Sequence, residues 1–89
     1  MDNRSGMTVV CVFDVASQSF HAPLFFRANG AALRWFEDHL KRGEKGDPMC
    51  AHPDHFQLFH LGSFNDFDGS FNLLERPNLL VHGSSFLEH

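Results

Sequence analysis

The residues whose types and spacing could do chemistry lie in one short segment, MCAHPDHF, at positions 49–56. Cys50, His52 and His55 fall within six positions there, and a thiolate with two imidazoles is a donor set that zinc accepts. Structural zinc sites use four ligands, whereas C-x-H-x-x-H is not a zinc-finger spacing, and the chain has no second cluster of this kind. Candidates for a fourth ligand are Asp54, His60 and His82.

The same segment also has the features of a tight turn that leads into a strand. Pro53 suits the first position of a helical turn, and Asp54 can accept hydrogen bonds from nearby backbone N–H groups. The turn accounts for more of these residues than a metal site does. We therefore predict no bound metal or other cofactor, with Cys50, His52 and His55 as the metal candidates if one binds.

Other groups that could support catalysis lie in unsuitable surroundings. Cys11 falls in the middle of an apolar run of strand length, where a thiol is inert. There is no glycine-rich phosphate-binding loop. Paired carboxylates such as Glu37 and Asp38, or Asp66 and Asp68, occupy a predicted helix surface and a predicted turn, where solvated charges are normal. We predict that the protein is not an enzyme.

The composition indicates a single globular domain. The chain has 89 residues, of which 43% are hydrophobic, and its large rings are eleven Phe and one Trp with no Tyr. We predict one domain at residues 7–86, a flexible N-terminus at 1–6, and a tag remnant at 87–89, since LEH resembles the start of a histidine tag. No apolar stretch reaches the ~20 residues of a membrane span. We therefore expect a soluble protein that does not bind membranes.

Periodicity predicts an α+β fold with the element order β-β-α-β-β-β. Apolar, β-branched runs predict strands at 8–16, 19–28 and 55–64, and shorter strands at 70–74 and 79–83 separated by ERPN. Asn29 is a predicted N-cap, Leu33 and Leu40 mark the apolar face of the one helix, and Gly43 suits the position after its end. We expect an antiparallel sheet of about five strands with this helix packed on one face.

One helix cannot cover all the phenylalanines of such a sheet. The second apolar surface that this leaves could be closed by another copy of the chain, and we therefore predict a homodimer. The phenylalanines concerned are Phe20, Phe26, Phe59, Phe64, Phe67 and Phe71.

Charge restricts nucleic-acid binding to a local site. The net charge of −4 argues against a protein that grips phosphates with its whole surface. A local strip of cations is nevertheless predicted on the helix. Lys45 belongs to this strip only if the helix is prolonged. Trp35 could stack on an unpaired base. An ordinary solvated helix face explains the same pattern. The predicted nucleic-acid-binding residues are Arg27, Arg34, Trp35, Lys41, Arg42 and Lys45.

Three segments resemble a known family. They are FDVASQSFHAPLFF, AALRWFEDHL and HPDHFQLFHLGSFNDFDGSFNLLERPNLLVHG. Together they are similar to the small nonstructural protein of gokushovirus-type microviruses, which are phages with circular single-stranded DNA genomes. The last segment is the specific part, and it departs from the family pattern at Asn65 and His55. The matching block requires His52 and Pro53 but no cysteine at Cys50, which favours the turn over the metal site.

The resemblance implies a non-enzymatic role in phage DNA metabolism within the host bacterial cytoplasm. The function expected from it is single-stranded DNA binding, or an accessory role in replication or packaging. The alternative is a protein-interaction adaptor for phage replication or capsid proteins, which docks through exposed Phe or an unpaired sheet edge without touching DNA. The acidic net charge fits the adaptor better.

Overall fold

A five-stranded antiparallel sheet and one main helix make up residues 6–86, the part of the chain that the computed structural model describes. The predicted α+β class and the predicted number of strands are confirmed. The predicted flexible N-terminus, apart from Gly6, and the predicted tag remnant lie outside the described residues. The strands are β1 (Gly6–Asp14), β2 (Ser19–Phe20), β3 (Leu24–Phe26), β4 (Phe56–Asn65) and β5 (Ser70–His82); the helices are α1 (Asn29–Lys41) and α2 (Pro48–Ala51), with 3₁₀ turns at Pro53–His55 and Gly83–Phe86.

The sheet is built around β1, the most buried strand. Strand β4 pairs with β1 along its whole length, from Gly6 opposite Asn65 to Asp14 opposite Phe56. Strands β2 and β3 both pair with the other edge of β1. Strand β2 pairs near the C-terminal end of β1, and β3 pairs nearer its N-terminal end. Strand β5 pairs with β4 and forms the outer edge of the sheet.

The second predicted strand, at 19–28, is divided into two short strands. The first two strands form a hairpin, since Asp14 pairs with Ser19, but pairing stops after Phe20 and resumes at Leu24. Pro23 lies in the gap. Because proline has no N–H to donate, it interrupts the ladder at this edge of the sheet.

The predicted break between the last two strands is wrong. Strand β5 runs without interruption through residues 75–78, the ERPN segment. What changes there is the register: Gly62 pairs with Leu73, whereas His60 pairs with Asn78, so that four residues of β5 lie opposite Leu61 alone. The proline in this segment can be accommodated because it lies in an irregular stretch of an edge strand.

Helix α1 begins where the sequence predicts but is capped differently. Ala28 occupies the N-cap position and makes no side-chain cap. Asn29, the predicted cap, instead lies 2.5 Å from the Thr8 hydroxyl in β1, through its side-chain oxygen. At the other end Gly43 adopts φ 64°, the left-handed conformation that the sequence predicts for it.

The core lies between α1 and one face of the sheet. Phe36 and Leu40 of the helix pack against alternate residues of the central strands, Val10 and Val12 in β1 and Leu58 in β4. This alternation is that of a strand with one face toward the helix. Among the described residues, no helix has the length and hydrophobicity that crossing a membrane requires.

Candidate functional site

The predicted cations do not form one continuous strip. Helix α1 ends at Lys41, Arg42 follows as its C-cap residue, and Lys45 lies beyond in a loop. The strip therefore does not extend to Lys45. Arg34 is exposed on the helix, while Arg27 lies just after β3 and its guanidinium also approaches the Gly6 carbonyl.

Carboxylates lie beside three of these cations. Ion pairs join Lys41 to Glu37 at 2.8 Å, Arg42 to Glu44 at 3.7 Å and Arg27 to Asp66 at 3.1 Å. All are solvent-exposed pairs that stabilise the fold little. In each pair the carboxylate offsets part of the attraction that its cation would have for a phosphate. Within residues 6–86, no carboxylate lies at ion-pair distance from Arg34 or Lys45.

Trp35 is half-buried in the layer between helix and sheet. Its ring centroid lies 5.8 Å from that of Phe26 in β3 and 5.6 Å from that of His39 one turn later in α1. These contacts hold the indole within the fold. Stacking on a base, as predicted from the sequence, would have to use the part of the ring that remains exposed.

The structure does not bring the three predicted metal candidates together. The rings of His52 and His55 stack on each other with centroids 4.9 Å apart, which fits the predicted turn at Pro53–His55. Cys50 takes no part in this pair. Its thiol lies 3.1 Å from the carbonyl oxygen of His39 and donates a hydrogen bond to it.

Cys50 instead belongs to a cluster with His39 and Asp47. One possible ligand atom from each of these residues, an imidazole nitrogen, a carboxylate oxygen and the sulfur, lies within 4.8 Å of the other two. Nε2 of His39 is 2.7 Å from Oδ2 of Asp47. The other carboxylate oxygen of Asp47 accepts a hydrogen bond from the N–H of Met49 at 2.9 Å, as the cap of α2.

The charged form of Asp47 is favoured by these neighbours. Partial desolvation acts to raise the pKa of its carboxyl, but the hydrogen bonds from Met49 and His39 together with the charge of His39 outweigh it, and the pKa lies below its usual range. Asp47 is therefore a carboxylate at neutral pH, held in place by backbone and side-chain partners.

Sequence reasoning did not identify His39 or Asp47 because they lie eight positions apart and belong to different elements. A usable signal is present for each: His39 is in the last turn of the predicted helix, and Asp47 precedes Pro48 as an N-cap does. The loop with Gly43 and Gly46 at positive φ turns the chain back so that the two meet.

Several exposed apolar side chains lie on the sheet face that α1 does not cover. Two groups of rings lie on it, with centroids 4.6–6.2 Å apart within each group. Leu73 and Leu79 lie between them, because they pair with Gly62 and Phe59. We call this surface the phenylalanine face; its rings are Phe13, Phe20 and Phe59 in one group and Phe25, Phe64 and Phe71 in the other.

The side chains of this face are incompletely covered. Phe71 is 53% exposed and Leu73 is 60% exposed, whereas Val9 and Cys11 on the same face of the sheet, in β1, are only 2% exposed. The rings thus shield the central strand from water while remaining in contact with solvent themselves. Side chains of this size are mostly buried in monomeric proteins, so a contiguous set on one face indicates an interaction surface.

The outer edge of the sheet is β5, and its middle is poorly suited to pairing with another strand. Residues 74–77 leave the regular ladder, and they include Glu75, Arg76 and Pro77. Charged side chains, a proline and a bulge are the devices by which proteins block pairing at a sheet edge. The phenylalanine face has no such protection.

An open depression of about 370 Å³ lies at the end of β1 nearest the start of α1. Several of its polar groups are engaged with protein atoms: Thr8 with Asn29, and Nε2 of His60 with the carbonyl of Gly62 at 3.0 Å. Arg27 also lines it, and that side chain is paired with Asp66. We see in this arrangement the contacts that fix the start of the helix on the sheet.

Comparison with known proteins gives one family. The family model described as Phage ORF5 protein matches residues 7–86, which is nearly the whole chain. No curated protein and no solved structure matches the sequence.

Proposed function

The chain belongs to the Phage ORF5 protein family, and from that premise we propose that it is a non-enzymatic accessory protein of phage replication or assembly that works as an interaction module. Its site is the phenylalanine face, and the occupant of that face is a second copy of the chain. The observation that carries the proposal is the contiguous exposure of aromatic and aliphatic side chains on the one sheet face that the helix leaves open. The phage would be of the gokushovirus type, with the protein acting in the host cytoplasm.

The size of the phenylalanine face supports a protein partner. With about 200 Å² for each fully exposed side chain, the exposed fractions of its five most open residues amount to roughly 500 Å². A standard interface buries about 800 Å² on each partner, of which about 450–520 Å² is apolar. The five residues are Phe20, Phe25, Phe71, Leu73 and Leu79.

The composition of the face supports a second copy as that partner. Within the described residues, the face carries rings and aliphatic side chains but no carboxylate or cation among its members. Two copies related by a twofold axis would place apolar surface on apolar surface without burying an unpaired charge. Pairing through β5 instead would have to accommodate Glu75 and Pro77 at the contact.

Single-stranded DNA binding is the second candidate. Arg34 and Lys45 are exposed cations without a carboxylate at ion-pair distance in residues 6–86, and exposed phenylalanine rings can stack on unpaired bases. It ranks second because the net charge is −4 and three of the predicted phosphate contacts, Arg27, Lys41 and Arg42, have acidic neighbours.

Light scattering at micromolar concentration tests the leading proposal. We expect a mass of twice the 10.1 kDa chain, and a monomeric mass would overturn it. A labelled oligonucleotide added at low salt then tests the second candidate. A rise in anisotropy that weakens with salt, and is reduced by Arg34→Ala with Lys45→Ala, would support DNA binding through these two cations.

The two measurements separate the possible outcomes. A dimer without oligonucleotide binding supports the interaction module alone. A monomer that binds the oligonucleotide contradicts the dimer and favours single-stranded DNA binding as the function. The protein could also be a monomer that binds no oligonucleotide. If it then recovered a phage replication or capsid protein from nuclease-treated infected cells, that protein would be the partner of the phenylalanine face in place of a second copy.

A further inference from the structure

We propose that His39, Asp47 and Cys50 form a binding site for a divalent cation of borderline softness, Zn²⁺. This site is separate from the phenylalanine face and does not depend on it. Its residues come from the last turn of α1, the loop that follows, and α2. An ion bound there would link the end of α1 to α2.

The donor set fits zinc by its chemistry. An imidazole nitrogen, a carboxylate oxygen and a thiolate sulfur are each established zinc ligands, and three protein ligands with a water in the fourth position make a complete tetrahedral site. A magnesium or calcium site would be built from oxygens alone. The sulfur of Cys50 therefore selects against those two ions.

The distances fit after small side-chain movements. Zinc lies about 2.3 Å from sulfur and about 2.0–2.2 Å from nitrogen and oxygen, which places tetrahedral ligands about 3.3–3.6 Å apart. The three atoms are already within 4.8 Å of one another. Nε2 of His39 and Oδ2 of Asp47, now 2.7 Å apart, would separate by roughly 0.6 Å as the ion replaced their shared hydrogen.

The surrounding contacts hold two of the ligands in position before an ion arrives. The N–H of Met49 occupies Oδ1 of Asp47, which leaves Oδ2 directed at His39. The ring of Trp35 packs against that of His39 at 5.6 Å between centroids. Partners of this kind orient the ligands of natural metal sites and raise their affinity.

The thiol of Cys50 is the ligand that changes most. It now donates to the carbonyl of His39 at 3.1 Å, and it would turn from that oxygen to the ion and lose its proton to solvent. His39 and Asp47 are about one-fifth exposed, at 19% and 24%. Solvent therefore reaches the cluster, and water can supply the fourth ligand.

The test uses the full chain without a purification tag, treated with a chelator that is then removed. Added Co²⁺ is expected to give the near-ultraviolet absorption of a cobalt–thiolate bond, together with the intense visible bands of tetrahedral cobalt. Added Zn²⁺ should abolish both by displacement and raise the melting temperature by about 4 °C or more. Absence of the thiolate absorption in this wild-type protein would overturn the proposal.

Variants show which residues hold the ion. Cys50→Ser keeps a hydroxyl that can still donate to the His39 carbonyl, so it should fold and melt as the metal-free protein does. We expect it to lose the thiolate absorption and to bind Zn²⁺ at least about 100-fold more weakly. His39→Gln should also weaken binding, so that a higher cobalt concentration is needed to produce the thiolate absorption.

The matched control is His55→Gln, which removes a histidine five positions from Cys50 but outside the cluster. Its cobalt spectrum and zinc affinity should equal those of the wild type. If His55→Gln weakened binding and His39→Gln did not, the site would belong to the segment 50–55 and the cluster proposed here would be wrong.

Discussion

The α-carbon of Gly83 lies directly against the backbone carbonyl of Pro53, so that a side chain at position 83 would collide with it. A β-carbon there would also lie 2.8 Å from the carbonyl oxygen of Phe56. Gly83 begins the final 3₁₀ turn, whose Phe86 packs on Phe36 of α1 at 6.2 Å between ring centroids. This close approach places the end of the described chain next to the residues that begin β4.

Gly83→Ala should lower the free energy of unfolding by about 1–3 kcal/mol, because the atoms in the way are backbone and cannot rotate aside. Urea denaturation measures the change. Gly30→Ala is the matched control: apart from its chain neighbours and the backbone of its own helix, a β-carbon at position 30 would meet no atom within 4 Å. Alanine in place of glycine in a helix should stabilise by about 0.5–1 kcal/mol. Equal stability of the two variants would contradict the contact.

Leu73→Asp should convert the proposed dimer to a monomer, because the dimer would have to bury the new carboxylate without a partner. Sedimentation velocity across a range of concentrations measures the shift, which we expect to be at least about 100-fold in the dissociation constant. Asn72→Asp is the control. It adds the same group one residue earlier, where a strand directs the side chain to the opposite face, and it should leave the dimer intact.

The local patterns of the sequence were sufficient to predict the elements that depend on nearby residues. Helix α1 follows from the spacing of Leu33, Phe36 and Leu40, and the β4–β5 hairpin from turn residues that end with Gly69 at φ 78°. Both rest on interactions within a few positions of the chain. The α+β class then follows, because a sheet with one apolar helix must bury that helix on one face.

Features that depend on distant residues were not predictable in the same way. The ERPN segment has the composition of a turn, yet pairing of Leu73 with Gly62 and of Asn78 with His60 keeps β5 extended across it. Cys50 was grouped with histidines close in sequence, whereas the loop brings it to His39. In both cases contacts across the sheet or the loop override the local pattern.

The two cysteines should react with a thiol reagent at rates that differ by roughly 100-fold or more, since Cys11 must wait for the sheet to open. Burial raises the pKa of the Cys11 thiol and so lowers its thiolate fraction, and the side chain is 2% exposed. Cys50 is only half-buried. Maleimide labelling followed by mass spectrometry should give one fast adduct on Cys50 and a second only in denaturant.

In Cys50→Ser the fast adduct should be absent. Fast labelling of Cys11 would mean that β1 is not buried.

The β4–β5 hairpin should lose part of its stability in acid because of Asp68. The hydroxyl and then the N–H of Ser70 donate to one oxygen of its carboxylate, at 2.7 and 3.0 Å, and hold the pKa of Asp68 below its usual range. A depressed folded pKa stabilises the protein at pH values above the unfolded pKa of about 3.9. That contribution disappears as the pH falls from about 3.9 through the lower folded value.

Ser70→Ala removes the hydroxyl but keeps the N–H, so the pKa of Asp68 should rise part of the way toward its ordinary value. Carboxyl ¹³C chemical shifts followed by NMR from neutral pH into acid measure it directly. Ser17→Ala, which alters a hydroxyl in the β1–β2 hairpin, should leave the titration of Asp68 unchanged. A midpoint for Asp68 that is the same in Ser70→Ala as in the wild type would show that the hydroxyl does not stabilise the carboxylate, and the acid sensitivity of this hairpin would then have to arise elsewhere.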